Sequence, residues 1–130
     1  MQCSFELRDV HKKISFTENT NNLFNYVVTL DIAGINPTVE NIKLGEYKFD
    51  LFANDKWIGN VASTVPIDLF PNSTTMIEEK IIISPRGVIG ILFKKLFDIS
   101  IEYKLVGTFY LNLKGFIFPL QVNLLKFIDK

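Results

Sequence analysis

One histidine, His11, and one cysteine, Cys3, bound the chemistry available to this chain. Nucleophilic catalysis by a Ser/His or Cys/His pair would have to be built on His11. That residue stands next to Lys12 and Lys13, in a charged stretch that reads as solvated surface. Cys3 alternates with Phe5 and Leu7, the pattern of a small core residue on a strand, and a lone Cys forms no intrachain disulfide. A zinc centre needs three or four ligands, which one His and one Cys cannot supply without carboxylates at unusual density. Glu78 and Glu79 are adjacent acids, but strand neighbours point to opposite faces and cannot work as an acid–base couple. Glu78 is read as solvated. Glu79 shares its parity with Ile77, Ile81 and Ile83, at the end of a buried face or on an edge, where an inward charge discourages sheet pairing. Gly87 and Gly90 open a helical stretch without the Lys-Ser/Thr pair of a phosphate loop. No catalytic, cofactor-binding or metal-binding residue is predicted.

The elements that would carry these residues are mostly strands. From Ile99 to Leu113 every odd position is apolar or Gly, and most even positions are polar. At Lys114-Gly115 the parity flips, so that Phe116, Phe118, Leu120, Val122 and Leu124 are apolar. That is a hairpin of two half-buried strands. Ser4 to Phe16 reads as one or two short strands, followed by a polar turn over Thr17 to Asn22. Phe24 to Ile32 alternates as a strand, ended by Gly34 and Asn36-Pro37. Ile42 and Leu44 begin an extended segment, and Tyr47, Phe49 and Leu51 mark a further strand. The Asn54-Asp55 turn then returns Trp57 to Val61 as a hairpin. Val65 to Pro71 is edge-like, and Met76 to Ile83 is another strand. The aromatics Tyr47, Phe49, Trp57, Tyr103 and Phe109 alternate as core residues do. Tyr110 sits on the polar side of its strand and is a contact candidate.

One segment, residues 86–97, has helical period. Ser84-Pro85 supplies a capping hydroxyl and an early proline. Val88, Ile89, Leu92, Phe93, Leu96 and Phe97 form a wide apolar face expected to pack on the core, with Ile91 off-side and partly exposed. The fold class is therefore mainly β: an antiparallel sandwich of about seven strands, favoured over a barrel, with one short helix before the last hairpin. Residues 1–130 are read as one domain, with an apolar tail over 124–130.

Composition excludes several classes. The chain has 14 basic and 14 acidic residues, a balance without the convergent cations that phosphate neutralisation needs, so no nucleic-acid partner is expected. A hydrophobic share of 48%, with 12 Phe, is core-forming. No apolar run reaches the roughly 20 residues that cross a bilayer. No secretory signal is visible in the charged first residues, so a soluble protein of the cytoplasm or a virion is expected.

The order of the pieces resembles the late embryogenesis abundant type-2 family, also called the water-stress and hypersensitive-response (WHy) domain. The matching stretch runs over about residues 24–122. It contains the Tyr26 to Ile32 strand, Asn36-Pro37, Tyr47-Lys48-Phe49-Asp50-Leu51, Ile58-Gly59, Val65-Pro66 and Ser73-Thr74-Thr75. It ends with Tyr103-Lys104-Leu105-Val106-Gly107 and the Gly115 to Pro119 return. The resemblance implies an immunoglobulin-like sandwich, no catalytic residues, and a link to desiccation and stress protection.

Two functional expectations follow. The first is a non-catalytic structural subunit of a larger assembly, such as a bacteriophage neck or tail, with protein partners that include copies of itself. The Ile-, Asn-, Lys- and Phe-rich composition, with only Arg8 and Arg86 as arginines, fits an AT-rich genome. The alternative is an intracellular stress-protective or lipid-contacting protein of the resembled family. Candidate contact residues are Ile91, Phe93, Tyr110, Leu125, Phe127 and Ile128, apolar or aromatic groups on the helix, the polar strand face and the tail.

Overall fold

The computed structural model describes residues 3–15 and 25–129. The turn expected over Thr17 to Asn22, with Phe16 and Phe24 beside it, lies outside the described residues. The elements are β1 (Ser4–Ser15), β2 (Asn25–Asn36), β3 (Ile42–Ala53), β4 (Lys56–Ser63), β5 (Ile67–Leu69), β6 (Ser73–Ile82), α1 (Pro85–Leu96), β7 (Ile101–Leu113) and β8 (Phe116–Asp129). Strands β1-β2-β6 form one antiparallel sheet. Strands β4-β3-β7-β8 form the other, with β5 beside the first residues of β3. The predicted β-sandwich with one late helix is therefore correct, with eight strands among the described residues.

The two sheets meet through their alternating faces. Phe5, Leu30, Ile32 and Ile81 from one sheet pack with Phe49, Leu105 and Phe109 from the other. Across the layers the rings of Phe5 and Phe109 stack with centroids 3.6 Å apart, a contact that adds to the burial of both rings. Along β7 every odd position from Ile101 to Leu111 is buried, as its alternation predicts.

Bulges explain where simple alternation miscounts. The segments beginning at Ile42 and Tyr47 are one strand, β3. A register shift at Gly45 lets Ile42 and Leu44 face inward on even numbers and Tyr47, Phe49 and Leu51 on odd ones. A shift between Leu7 and Asp9 does the same within β1, a single long strand. Gly34 does not end β2, which runs on to Asn36. A Cβ at Gly34 would stand 3.2 Å from the Phe5 ring, so the glycine makes room for that ring within the strand.

The Asn54-Asp55 hairpin forms as expected, with both residues at positive φ. A shift in its ladder pairs Phe52 with Trp57 and Leu51 with Gly59, which leaves Ile58 as the extra residue. Ile58 turns inward and Trp57 turns out to 51% exposure, so Trp57 is not the core residue its alternation implied. Its indole Nε1 donates to Asp50 Oδ1 at 3.1 Å.

The last hairpin turns at Lys114-Gly115 as predicted, both residues being at positive φ. The residues expected to form a tail beyond it belong to β8, where Leu125, Phe127 and Ile128 pair in the ladder with Leu105, Tyr103 and Glu102. Their side chains lie outside those described. Phe116 and Phe118, expected inward, are exposed. They overhang the end of the sandwich, and β8 begins to cover the core only at Leu120, Val122 and Leu124.

Candidate functional site

The first turn of α1 follows from its sequence. The Ser84 hydroxyl accepts from the Gly87 N–H at 3.1 Å and caps the helix, with Pro85 in the first turn. The backbone then fixes how the helix lands. Ile83 N–H donates to the Tyr26 carbonyl at 2.9 Å, and Ser84 N–H donates to the Ile58 carbonyl at 2.8 Å. These two bonds tie the entry of α1 to both sheets. Gly87 lies on the packed side, where a Cβ would meet the Ile58 Cβ at 2.9 Å.

This landing turns the helix over relative to its sequence pattern. Val88 and Ile91 face the sandwich, and Ile91 is only 2% exposed. The expectation that Ile91 is an off-side contact residue is therefore wrong, because the glycine and the two entry bonds select the face on which it lies. The broad apolar face points into solvent. Phe93 is 58% exposed and Leu96 79%, with Ile89 and Phe97 also exposed. The rings of Phe93 and Phe97 touch at 4.7 Å between centroids. Phe93 thus stays a contact candidate, and Ile89, Leu96 and Phe97 join it. Their periodicity is visible in the sequence, where it predicts a core-facing side; the structure turns that side outward.

A groove of about 360 Å³ runs between α1 and the β3–β4 hairpin. Lys56, Trp57, Arg86 and Lys94 line it, with Gly87 and Gly90 on its floor. Three cations and an indole thus border the exposed apolar ridge. Tyr110 lies elsewhere, half-buried on the outer face of β7 and opposite Glu46 and Pro119.

The residues whose types could do nucleophilic or acid–base chemistry are dispersed. Cys3 precedes β1 and His11 lies within it, eight residues on and roughly 26 Å away along an extended chain, so the two cannot form a nucleophile–base pair. Burial pushes the Cys3 thiol above its ordinary pKa, away from the thiolate form. His11 Nε2 lies 2.8 Å from Asp9 Oδ2, and strand pairing brings Asp31 beside them. These three offer donor atoms within 4.8 Å of one another. Asp31 is 20 residues from His11, so only the β1–β2 register unites them. Two exposed donors and one half-buried donor on a sheet surface by themselves assign no metal. Glu79 points between the sheets and accepts a hydrogen bond from the Tyr47 hydroxyl. Burial, then that carboxylate, pushes the Tyr47 pKa up to about 12. The pair is a structural bond between β3 and β6. The interior crevice near Tyr26, Leu51, Ile91 and Leu105 has room for about 10 Å³, the scale of one water molecule.

No protein-family model and no curated protein matches the chain. Solved structures do. A protein from Archaeoglobus fulgidus superposes with a TM-score of 0.69 at 9% identity, over 95% of this chain and 96% of that one. The Arabidopsis thaliana protein AT1g01470 gives 0.58 at 18% identity, over 98% and 77%. At2g46140.1, described as a late embryogenesis abundant protein, gives 0.55 at 14% identity, over 98% and 71%. None of the described helices is long and apolar enough to cross a membrane. The chain has the sandwich fold of solved late embryogenesis abundant structures, as the order of its sequence elements implied.

Proposed function

We propose that this chain is a non-catalytic protective module of the late embryogenesis abundant type, with residues 1–130 acting as one domain. The observation that carries the reading is the likeness to a solved late embryogenesis abundant structure over 98% of this chain. The dispersal of Cys3, His11 and the Glu78-Glu79 pair over different strands and faces supports action by contact instead of turnover. A virion-subunit role draws no support from the fold or its neighbours.

The test is survival of a labile soluble enzyme through drying and rehydration with this protein at equal mass to an inert control protein. The reading expects more residual activity with this protein. Equal protection by the control removes it.

A further inference from the structure

The helix α1 is amphipathic in the reverse sense for a surface helix. Such helices bury their apolar stripe and present charge to water. Here Ile89, Phe93, Leu96 and Phe97 fall within an arc of about 100° on a 3.6-residue wheel, opposite the arc that holds Gly87, Val88 and Ile91. A contiguous exposed patch of this kind marks a contact surface.

We propose that this outer ridge of α1 docks in the interface of a membrane carrying anionic lipids. The occupant is argued from charge. Arg86, Lys94 and Lys95 are the charged residues of α1, which has no acidic residue. Lys56 faces Arg86 and Lys94 across the adjoining groove. The groove lining contains no carboxylate. Asp55 at the hairpin tip and Asp98 after the helix are the nearby acids in sequence, and Asp50 is engaged by the Trp57 indole. The ridge is therefore apolar at its crest, with Lys94 on the groove flank and Arg86 at its N-terminal end, while Lys95 lies on the opposite side of the wheel. An interfacial helix has this arrangement, with apolar side chains below the headgroups and Lys and Arg level with the phosphates. Trp57, half-exposed on the same border, is suited to headgroup depth. At 12 residues, about 18 Å long, the helix can lie in the interface but not span it.

A second copy of this chain is a poorer occupant. A two-fold contact through the ridge would bury one copy's Phe93 and Leu96 against the other's and leave the Lys56, Arg86 and Lys94 flank without an anionic partner. The proposal names a partner for the contact-acting module above. Its test reads lipid binding, so its failure and failure of the protective reading are separately visible.

The experiment is vesicle co-sedimentation of the full chain, with Trp57 fluorescence as a second readout. Vesicles of phosphatidylcholine alone are compared with vesicles containing phosphatidylglycerol. The expected result is binding to the anionic vesicles with a blue shift of Trp57 emission, weakened by salt. Phe93→Ser with Leu96→Ser should reduce affinity about tenfold or more, because two apolar side chains no longer enter the interface. Lys94→Glu should weaken binding to anionic vesicles. Phe116→Ser, at the opposite end of the sandwich, should leave it unchanged. Circular dichroism of each variant confirms folding. No binding by the folded wild type, equal binding to both vesicle types, or binding indifferent to the Phe93/Leu96 pair overturns the proposal. Dimerisation in light scattering that the same pair abolishes also overturns it, because a second copy then covers the ridge.

Discussion

The Asn36 side-chain amide donates to the Leu69 carbonyl at 2.8 Å and joins the end of β2 in one sheet to β5 in the other. Asn36 is fully buried, and its remaining capacity is used locally. Its amide also donates to the Glu40 carbonyl at 2.8 Å, while its oxygen accepts from the Thr38 N–H at 3.0 Å and the Thr38 hydroxyl at 2.7 Å. A buried side-chain amide with donors and acceptor all engaged is favourable, and costly to remove. Asn36→Ala should destabilise the fold by about 2–3 kcal/mol, because it strands the Leu69 carbonyl and the Thr38 N–H. Urea unfolding checks this through a lower midpoint at unchanged slope.

Tyr47 and Glu79 make a second bond between the sheets, and this one depends on pH. The folded-state pKa of Tyr47 lies at about 12, above its ordinary value of 10.0. Its contribution is therefore fully present below pH 10 and is lost as pH rises through about 12. Tyr47→Phe should be less stable than wild type by about 1–2 kcal/mol at neutral pH. The gap should close progressively above pH 10. Paired denaturation midpoints measured up to strongly alkaline pH test the sign.

Two glycines of α1 should respond in opposite directions to the same change. Gly87→Ala places a methyl 2.9 Å from Ile58 Cβ and from Ile83 Cγ2. The helix must shift, which should cost about 1–3 kcal/mol despite the better helix propensity of Ala. Gly90 has nothing within 4 Å of an added Cβ. Gly90→Ala should therefore stabilise by up to about 1 kcal/mol. Thermal melts of the two variants separate close packing from propensity.

The two faces of α1 give a further contrast. Ile91→Ala should cost about 2–5 kcal/mol, because it empties a buried site between helix and sheets. Phe93→Ser, on the exposed ridge, should change stability by only about 0.5 kcal/mol. Equal losses at both positions would mean that the ridge is packed in solution.

The sequence by itself determined the class of the fold. The alternation of β7, the turns at Asn54-Asp55 and Lys114-Gly115, and the Ser84 cap rest on local backbone preferences and on side-chain period. These are properties of short segments, and they survive in the structure. It also determined that any Ser/His or Cys/His pair would have to use His11. Tertiary structure alone decided which face of each element meets the core. Bulges near Arg8, Gly45 and Ile58 shift parity by one residue, which sent Trp57 outward and Ile58 inward. Register brought Asp31 to His11, and Tyr47 reached Glu79 across the layers. The helix shows the limit most clearly. Its period reveals an apolar stripe but not what the stripe faces. That was set by two backbone bonds, from Ile83 to Tyr26 and from Ser84 to Ile58, and by the absence of a side chain at Gly87. Those are contacts between residues far apart in the chain, and no local pattern encodes them.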